Sequence, residues 1–379
     1  MLVLTKFLQP LKKINIEGIA SYYQTDTHSK KMTLRSHIFL LATAITIGKP
    51  TLAFIAKFSK TQRLWRFGVS EVSKSQLSKL HTDDKPDRPK TTSKPKDYHA
   101  YAEVYQHLLK FALRTLNLHS QRSDILLLAV DGSKKRGKIK LPQIGTIDDV
   151  IEIDGIKLHL AIIPGRRKIP IVVLTTIPTV HDNTQFRTIL KQARELVDLI
   201  GQNAILLFDL GYYDFEQFEE MIDAGVYFIS RVKSNATFKV ISTTSKEAKA
   251  IDQVVKLNGC KHPLRLITLV GEDGQIWRYY TNVYYLTPQE IGTIYGFRWD
   301  IEINHREENQ ELNMRRFFGK TFNAVLIEIF VILIAQLLLI IFSERMGLDY
   351  TLHDLVEFVR IFRDVDCSCF DYAPCWAQK

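Results

Sequence analysis

The sequence predicts an α/β fold built on a mixed sheet, with a helical region ahead of it and a β-rich segment inserted within it. Three observations predict this. Short continuous apolar runs, DILLLAV (124–130) and AILLFD (204–209), read as strands buried on both faces, because such strands lose the alternation of a half-exposed one. Amphipathic helical text then alternates with strands over 184–232, the mark of an α/β sheet. Residues 1–98 are instead helical in character. A chain of 379 residues with 46% apolar content can bury a sizeable core and is long enough for two or three domains.

In chain order, LRSHIFLLATAIT (34–46) is an apolar helix stopped by Gly48-Lys49-Pro50. Residues 50–80 alternate short helical pieces with Ser and Gly breaks and carry six Lys and Arg against the single acid Glu71. Ser73 caps a short helix bearing Lys74 and Lys79. This reads as a helix-turn-helix able to put basic and amide side chains into a major groove; solvated surface lysines are the plainer alternative. TDDKPDRPKTTSKPKD (82–97) is a proline-rich linker, and a helix follows over 101–116.

After the 124–130 strand, DVIEIDGIKLHLAIIP (149–164) reads as a hairpin turning at Asp154-Gly155, and KIPIVVLTTI (168–177) as a further strand. Helix 184–200, strand 204–209, helix 213–225 and strand 226–232 follow. The early hairpin makes the sheet mixed in direction. Residues 236–286 return to β-rich text with a hairpin around Glu272-Asp273-Gly274. A helix then starts at Thr287, with Pro288 at its first position and Gln289 and Glu290 in its first turn. The domains expected are 1–98 (helical, with linker 82–97), 99–235 plus 287–345 (the split α/β core), 236–286 (the β insertion) and 346–379 (a C-terminal helix and tail).

Charge narrows the partners. Lys and Arg number 51 against 41 Asp and Glu, a net +10, which favours an anionic partner such as nucleic acid. Four cysteines, Cys260, Cys367, Cys369 and Cys375, are too few for a disulfide framework, and the tail spacing lacks the paired C-x-x-C of zinc sites. Residues 1–20 contain Lys6, Lys12, Lys13 and Glu17 and do not read as a signal peptide. The run VLIEIFVILIAQLLLIIF (325–342) is long enough to span a bilayer, but it is solitary and holds Glu328 and Gln336; it reads as a core helix, so no membrane partner is expected.

Two buried strands end in an acid, Asp131 in AVDGS and Asp209 in LFDLGYYD. Functional groups gather at the carboxyl ends of strands in open α/β sheets, although Asp also simply favours turns. A third acid comes from YGFRWDIEINHREENQ (295–310). At about 100° per residue, with Tyr295 as origin, Arg298 falls near −60°, Glu302 near −20° and Arg306 near +20°. Asp300, Glu307, Glu308 and Glu311 point elsewhere, so Glu302 alone shares the stripe with Tyr295 and Arg298; an ordinary i,i+4 surface pair is the alternative. Three carboxylates without His or Cys partners form a hard oxygen-ligand site that favours Mg²⁺ or Mn²⁺, and two such ions about 3.5–4 Å apart suit phosphodiester chemistry.

These residues resemble DDE transposases of prokaryotic insertion sequences, in the family numbered four. That family is marked by an Asp at the first strand end, a second in a D-x-G-Y type segment, and the helix signature Y-(2)-R-(3)-E-(6)-K. The matching text is VDGS, FDLGYYD and YGFRWDIE, supported by GIKLHL (155–160), VHD (180–182), YFISRVKSN (227–235) and HREENQELNMRRFFGKTFNAVL (305–326). The similarity spans roughly residues 120–345.

The resemblance implies an RNase H-like mixed-sheet catalytic core with a β-rich insertion. It implies an enzyme using Mg²⁺ or Mn²⁺, with two ions held by Asp131, Asp209 and Glu302, that cuts transposon ends and joins the freed 3′-OH to target DNA. Partners implied are double-stranded DNA (terminal inverted repeats and target) and a second copy in a synaptic homodimer, in a prokaryotic, nucleoid-associated cytoplasmic setting. Tyr295 and Arg298 would contact phosphate near the cut, and Trp277 would stack on a flipped base. The family Lys falls on Asn309, where Arg306 would substitute, or the copy is impaired and only binds DNA.

Overall fold

The computed structural model describes residues 2–29, 31–48, 50–65, 67–80, 95–116, 125–142, 150–200, 203–212, 214–233, 236–315 and 317–366. Residues 82–94 of the expected linker and the tail cysteines Cys367, Cys369 and Cys375 lie outside these.

Along the chain run α1 (Val3–Leu8), α2 (Ile16–Tyr22), α3 (Leu34–Thr46), α4 (Leu52–Ser59), α5 (Gln62–Trp65), α6 (Lys74–Leu80) and α7 (Tyr98–Thr115). The strands β1 (Ile125–Pro142), β2 (Val150–Ile163) and β3 (Ile169–Thr176) come next, then α8 (Phe186–Ile200), β4 (Asn203–Phe208), α9 (Phe215–Asp223) and β5 (Tyr227–Arg231). Four more strands follow: β6 (Phe238–Lys246), β7 (Ala250–Leu257), β8 (Leu264–Val270) and β9 (Ile276–Thr281). The chain closes with α10 (Pro288–Gly296), α11 (Trp299–Gln310), α12 (Phe322–Met346) and α13 (Leu352–Phe362).

The chain forms two compact units, one of Met1–Asn117, Lys135–Gly155 and Arg306–Lys379, the other of Leu118–Lys134 and Ile156–His305. The first is organised by α12. Every residue from Ala324 to Ser343 is buried, and α1, α3, α7 and α13 pack against this helix. Protein on all sides thus accounts for an apolar run long enough to cross a membrane. Thr321 caps its start and Gly347, with φ 65°, ends it in the left-handed conformation that glycine tolerates best. Its one buried acid, Glu328, accepts the backbone N–H groups of Phe318 (2.9 Å) and Gly319 (2.6 Å).

Elsewhere in this unit, Ser73 caps α6 reciprocally with Gln76: Ser73 Oγ accepts the Gln76 N–H at 3.2 Å and Gln76 Oε1 accepts the Ser73 N–H at 2.9 Å. Lys74 and Lys79 are exposed on α6, which packs on α4. Lys96 is fully buried, donating to the Thr25 carbonyl at 3.0 Å and to the Asp26 carboxylate. Asp26 also receives the Leu34 N–H at the start of α3, so one carboxylate joins the ammonium to a helix N-terminus.

The sheet has nine strands in the order β3-β2-β1-β4-β5-β9-β8-β7-β6. β1, β4 and β5 are mutually parallel, whereas β2 with β3 and all pairs from β5 to β6 are antiparallel. The mixed α/β class expected from sequence is therefore present, and the β-rich segment 236–286 extends the same sheet from β5. The hairpin at 272–274 forms as read: Gly274 has φ 79° and the Gly271 N–H donates to the Gln275 carbonyl at 2.8 Å.

Three expectations are corrected. The strand read over 124–130 does not end at Asp131: β1 continues through it to Pro142. The hairpin read over 149–164 does not turn at Asp154-Gly155: Val150–Ile163 runs through as one strand, β2. Gly155 (φ 101°) is needed there because a side chain would collide with the Lys135 carbonyl of β1. Nor does one helix carry Tyr295 and Glu302. The Thr287–Glu290 capping box starts α10 as read, but that helix ends at Gly296 and α11 restarts at Trp299. Ahead of α10, the buried Arg265 pairs with Asp252 and donates from Nη1 to the Val283 and Leu286 carbonyls, each at 2.7 Å. It thereby fixes the connector from which α10 departs.

Candidate active site

The site is built in the sheet unit. β1 and β4 pair in parallel from Ile125↔Asn203 to Val130↔Phe208. The next residue on each is an acid: Asp131 lies within β1, which runs on to Pro142, and Asp209 follows the end of β4, so the two stand at the same level, about one strand spacing (~4.8 Å) apart. Burial raises the Asp131 pKa; His305, the Gly132 N–H and Arg298 oppose that, and the negative charge of Asp182 adds to it. A carboxylate so desolvated is one whose ionised form a nearby cation favours.

Arg298 sits at the junction of the two helices. It is 8% exposed, donates to Glu302 Oε1 at 2.8 Å, and lies 5.7 Å above the Tyr295 ring. Burial works against its charge, but Tyr295, Glu302 and Asp209 outweigh this and raise its pKa. Tyr295 is itself buried, 4.8 Å from the Tyr279 ring, and burial pushes its phenol up. The i,i+4 pairing of Arg298 with Glu302 survives the helix break because the turn at Phe297–Arg298 stays hydrogen-bonded, with Ile301 N–H donating to the Arg298 carbonyl at 3.2 Å. Through Arg298, the α11 acid and the strand-end acids share one electrostatic neighbourhood.

Side chains that sequence reasoning did not single out complete it. Asp182, on the connection after β3, lies against Gly132 and within 3.9 Å of the Cβ position of Gly211. Lys157 Nζ donates to Asp182 Oδ2 at 2.7 Å, and His159 Nδ1 stands 3.2 Å from Oδ1, out of line for a hydrogen bond. Burial would raise the Asp182 pKa, but His159 and Lys157 hold it below the usual carboxylate range. The buried Tyr212 phenol is pushed up by burial first, then by Asp182 and Asp131. The signal for this group lay in GIKLHL and VHD, which contain all three charged residues, but nothing local links the two segments. His305, buried and acting on Asp131, lies in the 295–310 stretch but was not among the candidates read there.

The remaining sequence candidates lie as follows. Trp277 is half-buried on β9, with the Arg231 guanidinium 4.7 Å above its ring. In the helical unit Arg306 is exposed, whereas Asn309 Oδ1 accepts from Lys135 Nζ at 3.0 Å. Lys135 is 2% exposed and stands 3.8 Å from the wholly buried Glu308 carboxylate. Asn309 is thus engaged with a buried lysine of β1. Among the described residues, no three His, Cys, Asp or Glu side chains converge closely enough to hold a metal ion.

Residues 127–338 match the family model described as the transposase DDE domain, more than half of the chain. The chain belongs to the DDE transposase family. The same span holds Asp131, Asp209 and Glu302. Among curated relatives, this DDE transposase is 29% identical over 199 residues to y4zB of Sinorhizobium fredii, a protein named as a transposase, covering 49% of this chain and 53% of that one. It is 26% identical over 194 residues to a Geobacillus stearothermophilus protein named as the transposase of insertion sequence element IS5377, covering 49% and 48%. The chain spans about half the length of the curated relatives it matches. A cryo-EM structure of a piggyBac transposase synaptic complex with hairpin DNA aligns over 96% of this chain and 79% of that one, with TM-score 0.46 and 11% identity, a likeness too distant to bear on fold or function.

Proposed function

We propose that this DDE transposase cuts the ends of an insertion sequence in DNA and transfers the freed 3′-OH to target DNA, using divalent metal. The observation that carries the reading is the register of β1 and β4, which brings Asp131 and Asp209 side by side where the parallel pairing of the two strands ends, inside the matched family span. The order β3-β2-β1-β4-β5, with only β1, β4 and β5 parallel, supports an RNase H-like core.

The donor set fits a hard cation: oxygen ligands only, one of them a desolvated carboxylate. Asp131 and Asp209 would hold Mg²⁺ or Mn²⁺, with Glu302 joining them by turning from Arg298. Bound there, the metal supplies a more acidic water or 3′-OH and charge stabilisation at the phosphate. Arg298, with a planar fork held by Glu302 and Tyr295, is oriented to meet a phosphate as Glu302 lets go. The exposed Lys74, Lys79 and Arg306 are assigned to DNA backbone contact, Trp277 to base stacking, and a second copy to the paired-end complex.

A second reading, a transposase-derived protein that binds DNA without cutting it, has one observation in its favour. Asn309 stands where the family lysine would be, and its side-chain oxygen is taken by the buried Lys135. Nicking of a plasmid carrying the DNA that flanks the gene, in Mg²⁺ or Mn²⁺, separates the two. The transposase reading expects cutting by the parent and none by Asp131→Ala, Asp209→Ala or Glu302→Ala, each with duplex affinity retained. Undiminished cutting by any of the three removes that residue from the mechanism.

A further inference from the structure

The glycine after Asp131 poses a question that turn chemistry does not answer. Gly132 is absent from the positive-φ residues, so its backbone angle is open to any side chain. What forbids a side chain is space: a methyl at Gly132 would overlap Asp182 Oδ1 and come within 3.0 Å of Lys157 Cε. The Asp-Gly pair is therefore a notch into which a distant carboxylate is docked. The docking is costly enough to need support. Lys157 and His159 are i,i+2 neighbours on one face of β2, both buried, and both turned to Asp182. Lys157 also reaches the Val180 carbonyl at 3.3 Å, which fixes the segment carrying Asp182. The far side of the same carboxylate faces Gly211, two residues after Asp209.

We propose that Asp182 is a positioning residue for Asp131 and Asp209: carried by Lys157 and His159, its carboxylate fills the Gly132 notch and holds the backbone that aims the two acids. The proposal rests on the reading of those two acids as the cleavage centre. A misplacement of about 1 Å at a reacting group costs on the order of 10²-fold in rate, so a residue that only holds the backbone beside it can weigh heavily on cutting without touching DNA.

The test uses the full chain and a plasmid carrying the DNA that flanks the gene. Asp182→Asn keeps the shape but loses the charge that Lys157 and His159 hold. Its single-turnover nicking should fall about 10- to 100-fold while duplex affinity stays within about twofold, a split that general destabilisation does not give. Melting temperatures supply an independent readout of the notch. Gly132→Ala should melt below the parent, and adding Asp182→Ala to it should raise the melting temperature again, whereas Asp182→Ala alone lowers it. That reversal of sign requires direct contact. The double variant should still cut as poorly as Asp182→Asn. Nicking by Asp182→Asn at the parent rate overturns the positioning role while leaving the transposase reading intact, and so does a purely additive melting cycle. A parent that cuts no DNA refutes the function reading itself, and the role in cleavage with it.

Discussion

Glu328 is the sharpest single test of how the core helix is held. Its carboxyl is wholly buried, and burial pushes its pKa from the ordinary 4.5 to about 8, against two backbone N–H donors that pull it down. The folded value lies above the unfolded one. The stability linked to this group is therefore fully present below about pH 4.5 and is lost as pH rises through about 8. At about 1.4 kcal/mol per pH unit, the span from 4.5 to about 8 amounts to about 5 kcal/mol, with no discount for solvent because the group is fully enclosed. Glu328→Gln removes the titration. It also offers one oxygen where the Phe318 and Gly319 N–H groups need two, at a cost of about 1–3 kcal/mol. Denaturant unfolding of both proteins at pH 5, 7 and 9 should show the variant less stable at pH 5 and more stable at pH 9. Parallel pH profiles for the two would refute the reasoning, because the parent's slope would then come from other groups.

Other perturbations follow from the same geometry. Asp252→Ala leaves the Arg265 guanidinium buried with only its carbonyl partners and should cost about 3 kcal/mol, seen as a lower denaturation midpoint; a change under about 0.5 kcal/mol would discount the latch. Asn309→Ala strips Lys135 of a buried acceptor and should destabilise by about 1–3 kcal/mol, and an unchanged melting temperature would show that contact to be idle.

What the sequence made legible was mostly local. The caps at Ser73 and Thr287, the apolar strands β4 and β5, and the buried helix α12 depend on neighbouring residues or on composition, and each appears where it was read. The misreadings are non-local. Asp-Gly at 154–155 carries the usual hairpin signature, yet Gly155 is there to admit the Lys135 carbonyl from another strand. β1 runs on through DGSKKRGKIKLP, text with little strand character, beyond the end of its pairing with β4, with β2 as its neighbour on the other side in the sheet. The 295–310 stripe assumed one helix, whereas α10 ends at Gly296 and α11 restarts at Trp299.

The candidate site divides the same way. Asp131 and Asp209 were readable because an acid directly after a short apolar run is a sequence pattern, and parallel register then brings them together, although β1 continues past Asp131. Asp182 was not, since its meaning comes from Lys157 and His159 some two dozen residues earlier and from a glycine whose notch only packing reveals.

The central claim is that Asp131 and Asp209 work as one centre. The most direct measurement is single-turnover nicking in Mn²⁺ by Asp131→Asn, Asp209→Asn and the double variant, on a plasmid bearing the flanking DNA. Groups that act as a unit are not additive, so each single variant should lose as much activity as the double. Residual cutting by the double variant, or losses that simply multiply, would contradict a shared centre.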